Sequence, residues 1–226
     1  MQNFPNKKQK VGTNVCGPLC LVNIFENLGD KALVEDIMED LGVTENEITY
    51  LPQLALYAHK NNLKIKYLQS NPREISPNWK GLESDKYLET LKKFQEEMDK
   101  ESIWKKNLKF LIEYIEAGGE IEVDDLSREK ISQYLAEGYV VLAAVEQTWL
   151  WGKRKVKGKI EYDDLKGKPS GHFVVIYKED GDDFLVSDPY PTGLEGKEGL
   201  YRVSKDTMLV SILVWGAQMI GVKSKV

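Results

Sequence analysis

Apolar residues run almost unbroken from Cys16 to Leu28, the pattern of a helix buried on all sides, and Gly29 marks its stop. Shorter helices are predicted over Ala32–Leu41, ended by Gly42, and over Pro52–Lys60, with Pro52 suited to a first turn. At 63–69 the pattern changes to period two: Leu63, Ile65 and Tyr67 alternate with Lys64 and Lys66, as in a half-buried strand. Two apolar stripes at helical spacing follow within 82–117, one through Tyr87, Leu91 and Phe94, the other through Trp104, Leu108, Leu111 and Ile115. Gly118 and Gly119 close this pair, which reads as an insertion at 82–117 within a single domain spanning 1–226.

Ser127 predicts the cap of a further helix to Glu137, and YVVLAAVEQ at 139–147 reads as a buried strand. The remaining pattern is mainly strand. HFVVIYK at 172–178, the turn EDGDD and FLVSD at 184–188 form a hairpin signature, followed by a strand at 199–204. Ser204 predicts the cap of a last helix to Leu213, and GAQMIGVK reads as an edge strand. Helices first and antiparallel strands afterwards give an α+β fold.

Composition narrows the function. With 36 acidic and 31 basic side chains the net charge is -5, so no basic surplus exists to neutralise a phosphate backbone, and nucleic acid is not an expected partner. No window approaches the ~18 apolar residues of a membrane span, and the basic start MQNFPNKKQK has no apolar run behind it, which favours a cytoplasmic protein. The two cysteines, Cys16 and Cys20, lie four apart on one predicted helix and provide no disulfide framework. Their spacing is also poor for a closed tetrahedral zinc site with His172, so neither metal nor cofactor is expected.

Cys16 begins its helix. The unpaired N–H groups and positive dipole end there favour a thiolate, and the same donors suit an oxyanion formed when sulfur attacks a carbonyl. A base is then required. Of the two histidines, His59 sits at the C-terminal end of a helix, where a structural role suits it, whereas His172 opens a strand after KGKPSG. Asp188 ends the partner strand sixteen residues later, so an antiparallel hairpin brings both to the same end of the sheet, where the carboxylate orients the imidazole. Cys20 reads as a buried structural thiol, the tryptophans at 149, 151 and 215 as packing with a possible aromatic wall at WLWG, and Lys153–Lys159 as a solvated hairpin tip.

The block NVCGPLCLVNIFENLG resembles the nucleophile helix of papain-like cysteine peptidases of the type that cleave double-glycine bacteriocin leaders, and GHFVVIYKEDGDDFLVSDPYP resembles their histidine and aspartate strands. Together the blocks cover about 40 of the 226 residues. The resemblance implies a papain-like fold with an N-terminal helical half carrying the nucleophile helix and a C-terminal antiparallel sheet. It also implies Cys16 as nucleophile, His172 as general base and acid, Asp188 as the orienting group, and Gln9 as an oxyanion donor. Gln9 lies seven positions before Cys16, one more than the family pattern, which leaves Asn14 as the fallback donor.

The expected substrate is a peptide or another amide-containing molecule, cleaved through an acyl-enzyme. An acyl- or peptidyltransferase using the same intermediate, and a non-catalytic peptide-binding module on the same scaffold, remain alternatives. The helices at 82–117 account for the long separation between Cys16 and His172 and are expected to act as a lid or substrate-selecting wall. No transporter segment follows the domain, so leader cleavage coupled to export is not expected. Substrate identity and oligomeric state are left open.

Overall fold

A computed structural model describes residues 4–225. Three helices lead the chain, α1 (Cys16–Asn27), α2 (Val34–Leu41) and α3 (Leu51–Lys60), followed by β1 (Leu63–Gln69). The amphipathic pair is α4 (Ser84–Glu97) and α5 (Ile103–Glu116). Then come β2 (Ile121–Val123), α6 (Arg128–Ala136), β3 (Val140–Glu146) and the short α7 (Gln147–Trp151). The C-terminal part holds β4 (Gly171–Asp180), β5 (Asp183–Ser187), β6 (Leu200–Ser204), α8 (Lys205–Trp215) and β7 (Gln218–Ser224).

The strands form one seven-stranded sheet in the order β2-β1-β7-β3-β4-β5-β6. Every pairing is antiparallel except β1 with β2, so the fold is α+β with a largely antiparallel sheet. GAQMIGVK therefore corrects the edge-strand expectation: β7 lies in the middle, between β1 and β3. Its side chains explain the place. Met219, Ile220 and Val222 are fully buried on alternating faces, which an edge exposed to water would not favour. Gly221 keeps the strand close to its cover, because a Cβ there would come within 2.7 Å of the Tyr134 ring.

Each sheet face buries a separate apolar cluster, as the period-two geometry of strands requires. Val140, Leu142 and Ala144 of β3 face the cluster that includes α1, α3, α4 and α5. Val141, Ala143 and Val145 face the opposite cluster with α6, α7 and α8. Helix α1 is buried against β4: Cys20, Leu21 and Ile24 are fully buried, and the Cys20 thiol donates to the Phe173 carbonyl of β4 at 3.3 Å. That bond locks the register between α1 and the strand beginning next to His172.

Several local features were not anticipated. β2 is a three-residue strand, too short to carry a pattern. Trp149, Leu150 and Trp151 of WLWG belong to α7, with Gly152 ending it, and the buried Glu146 caps its start by accepting from the Trp149 N–H at 3.0 Å. The other Glu146 oxygen takes the Ser170 N–H at 3.1 Å, so one carboxylate fixes both α7 and the entry to β4. His59 ties α3 to the end of α5 through a 3.1 Å hydrogen bond between Nε2 and the Ala117 carbonyl. Among the described residues no helix is long and apolar enough to cross a membrane.

Candidate active site

Cys16 is the first residue of α1, and no side chain caps that end: Val15 precedes it and no acidic residue occupies the first turn. The unpaired N–H groups of the first turn are thus left to whatever sits beside the sulfur. Gly17 follows because the space is already taken. A Cβ at Gly17 would lie 2.9 Å from Leu54 Cδ1 and closer still to Thr49 Oγ1, so only glycine lets α1 pack this tightly beneath the cleft.

His172 is the second residue of β4 and Asp188 immediately follows β5, and the hairpin brings them together as the spacing predicts. His172 Nε2 lies 2.7 Å from Asp188 Oδ1. The Cys16 thiol lines the same cavity as this ring and is close enough to help raise its pKa; with Nε2 taken by Asp188, Nδ1 is the nitrogen left for sulfur. Burial works against a charged imidazole. The adjoining Asp188 charge and hydrogen bond, with a further contribution from Cys16, outweigh it and hold the His172 pKa well above its ordinary value. Burial likewise opposes the Asp188 charge, but the imidazole and the hydroxyl and N–H donors around it hold that carboxyl below its usual range.

Asp188 is fully buried and all its bonds are accounted for. Oδ1 accepts from His172 and from the Tyr190 backbone N–H at 2.8 Å, while Oδ2 accepts from Trp151 Nε1 at 3.0 Å and Tyr201 Oη at 2.7 Å. Trp151 and Tyr190 stack at 5.4 Å between centroids and cover His172, 5.3 Å and 6.2 Å away. Water is thereby kept from the imidazole–carboxylate bond. Lys153–Lys159 is a largely exposed tip, as its sequence predicts, with Lys155 as an exception: its backbone bridges to Tyr162, and its Nζ lies 3.9 Å from the Tyr190 ring centroid.

Gln9 is buried. Its backbone N–H donates to the Pro189 carbonyl at 2.7 Å, next to Asp188, and its Nε2 donates to the Thr13 carbonyl at 2.5 Å. Gln9 Oε1 is buried with no partner among the described residues. Asn14 donates from Nδ2 to the Asn46 carbonyl at 2.7 Å, and it lines the cavity beside Cys16, where Gln9 does not. Each amide retains a second N–H.

That cavity, about 310 Å³, opens from Cys16 and His172 and runs between α5 and the end of α8. Cys20 is set apart from this chemistry: burial, and to a smaller extent the nearby Cys16 and Asp188, push its thiol pKa up. Among the described residues no three His, Cys, Asp or Glu side chains are grouped to hold a metal ion.

No family model matches the chain, and no curated protein matches it. Among solved structures it is similar to the peptidase domain of Streptococcus ComA, a bi-functional ABC transporter involved in a quorum-sensing pathway. That match has 13% identity and a TM-score of 0.48, over 99% of this chain and 100% of that one. It is also similar to a protein from Bacillus anthracis described as a C39-like peptidase, with 12% identity and a TM-score of 0.44 over 99% and 96% of the two chains.

Trp151, Tyr190 and Tyr201 complete the surroundings of Asp188; sequence reading raised Trp151 only as part of an aromatic wall at WLWG and missed Tyr190 and Tyr201. One local signal existed. In Asp-Pro-Tyr the carboxylate accepts from the N–H two residues on, the turn that Asp before Pro favours, and this places Tyr190 at the site. Trp151 and Tyr201 arrive from α7 and β6 and carry no comparable local cue.

Proposed function

We propose that the protein is a cysteine peptidase or amidase of the papain-like kind that acts through Cys16, His172 and Asp188. One observation carries this reading: a single buried imidazole bonded to Asp188 through Nε2 shares one cavity with the Cys16 thiol, which stands at an uncapped helix end. The raised His172 pKa supports a proton residing on the ring, where it is available to the departing amine.

In the first step the sulfur attacks the carbonyl carbon of the scissile amide, and the carbonyl electrons move onto oxygen. The Cys16 N–H at the start of α1 stabilises that oxyanion, aided by the second N–H of Gln9 or, failing that, of Asn14. His172 gives its proton to the departing amine nitrogen, the C–N bond breaks, and a thioester to Cys16 remains. His172 then takes a proton from water, which attacks the thioester and releases the acid. Asp188 holds the ring so that one nitrogen faces sulfur throughout. Helices α4 and α5 act as an insertion in a single domain, and α5 furnishes a wall of the cleft through Ile103, Trp104 and Asn107. Two free thiols fit a reducing compartment, hence the cytoplasm.

Labelling with a peptidyl electrophile, followed by mass spectrometry, tests the reading. Rapid modification of Cys16 but not Cys20, lost in His172→Ala, is expected. Equal slow labelling of both thiols, independent of His172, would identify a scaffold without chemistry. Acyl-enzyme trapped on Cys16 and challenged with water and then with amines separates hydrolase from transferase.

A further inference from the structure

The cavity beside Cys16 has walls and floor of different chemistry. The walls are aromatic: Trp104 at the start of α5 and Trp215 at the end of α8 both line it. Both indoles are held in place. Trp215 lies so close to Gly171 that a Cβ there would collide with its indole ring, and the Arg73 guanidinium sits 5.3 Å from the Trp104 ring centroid.

The floor consists of two buried amides, Asn107 and Gln218, each only 3% exposed. Asn107 Nδ2 is committed to Glu74 Oε1 at 2.5 Å and reaches Gln218 Oε1 at 3.5 Å. Gln218 Oε1 also accepts from Tyr67 Oη at 2.5 Å. These bonds fix which end of each amide turns away from the network. Among the described residues Asn107 Oδ1 and Gln218 Nε2 have no protein partner, and both residues line the cavity. The floor therefore presents one acceptor and one donor, a pair left for a ligand.

We propose that this cavity is a substrate subsite for a tyrosine side chain, its ring between Trp104 and Trp215 and its hydroxyl donating to Asn107 Oδ1 while accepting from Gln218 Nε2. The inference rests on the peptidase reading of Cys16 and names the side chain one residue before the one whose carbonyl sulfur attacks. A side-chain carboxylate is disfavoured because the floor acceptor is backed by Glu74. An ammonium finds a donor, Gln218 Nε2, where it needs a second acceptor. A carboxamide matches the floor but leaves the aromatic walls unfilled, and phenylalanine fills the walls but leaves both amides unpaired.

A panel of acyl-X-Gly acyloxymethyl ketones tests this, with glycine at the reactive carbonyl so that only X varies among Tyr, Phe, Gln, Leu, Lys and Glu. The rate of Cys16 alkylation is read by mass spectrometry on the full chain. Tyr is expected to react at least about tenfold faster than Phe, because a site built for a hydroxyl discriminates strongly against its absence. In Gln218→Met the Tyr-to-Phe ratio is expected to fall toward one. As a readout without chemistry, N-acetyl-tyrosinamide is expected to bind the Cys16→Ala protein more tightly than N-acetyl-phenylalaninamide. A ratio near one in the unmodified protein, or fastest reaction with Gln, Leu, Lys or Glu, overturns the tyrosine subsite and leaves the peptidase reading standing. Absence of any His172-dependent labelling overturns the peptidase reading and this inference with it.

Discussion

Trp151 and Asp188 are joined by a hydrogen bond from the indole Nε1 to Oδ2 at 3.0 Å, so the ring that shields His172 is also fastened to the carboxylate that orients it. Shielding and orientation thus depend on one side chain from the five-residue helix α7. Trp151→Phe retains an aromatic cover and removes the bond. A loss of about 1–2 kcal/mol in unfolding free energy is expected in urea titration, with slower Cys16 labelling.

Asp188 supports the charge on His172, and a histidine whose folded pKa is raised stabilises the fold below its unfolded pKa and loses that contribution as pH rises through the folded value. In Asp188→Asn this support is gone. The alkaline limb of the Cys16 alkylation profile is expected to move to lower pH, and turnover to fall by about 10²-fold or more. Tyr201→Phe provides the comparison: it removes one hydroxyl from Oδ2, is expected to cost about 1 kcal/mol, and should shift the limb far less.

Gly17→Ala is expected to destabilise the fold by about 1–3 kcal/mol, because the new methyl meets Leu54 and the Thr49 hydroxyl in a packed layer. Thermal unfolding reads the loss. Gly12→Ala supplies a contrast: its Cβ would meet nothing, and its cost arises solely from a backbone φ of +88°.

Glu74 is buried behind the cleft floor, satisfied by amide N–H groups from Asn107, Asn71 and Gln69. Burial pushes its pKa up to about 7 against those donors and the attraction of Arg73, while the Tyr67 and Tyr87 hydroxyls lie close enough to feel its charge. A carboxyl with a raised folded pKa takes up a proton on folding. Its contribution is most favourable at acid pH and declines as pH rises from about 4.5 to about 7, by on the order of 3 kcal/mol in all. Unfolding free energy measured across that interval is expected to fall in the wild type and to flatten in Glu74→Gln.

Local pattern placed most helices and strands because each buries a single face or is buried throughout: α1 by its unbroken apolar run, β1 by alternation, α4 and α5 by their stripes. It also placed Cys16 at a helix start and His172 and Asp188 at one end of a hairpin. Sheet order was illegible, since β7 pairs with β1 and β3 far upstream and a strand's own residues do not name its neighbours. The polar floor escaped for a similar reason. Glu74 stands in a loop rich in proline and charge, and only the fold reveals that Asn107 and Gln218 close over it.

The central place of β7 bears on how the sheet is completed during synthesis. The seventh strand to leave the ribosome fills the gap between β1 and β3, so until residues 218–224 emerge the sheet is split and the walls around Cys16 lack their common support. Without those seven residues the β2-β1 pair has no strand through which to join β3, so the two halves of the sheet are held together by the last strand the ribosome delivers.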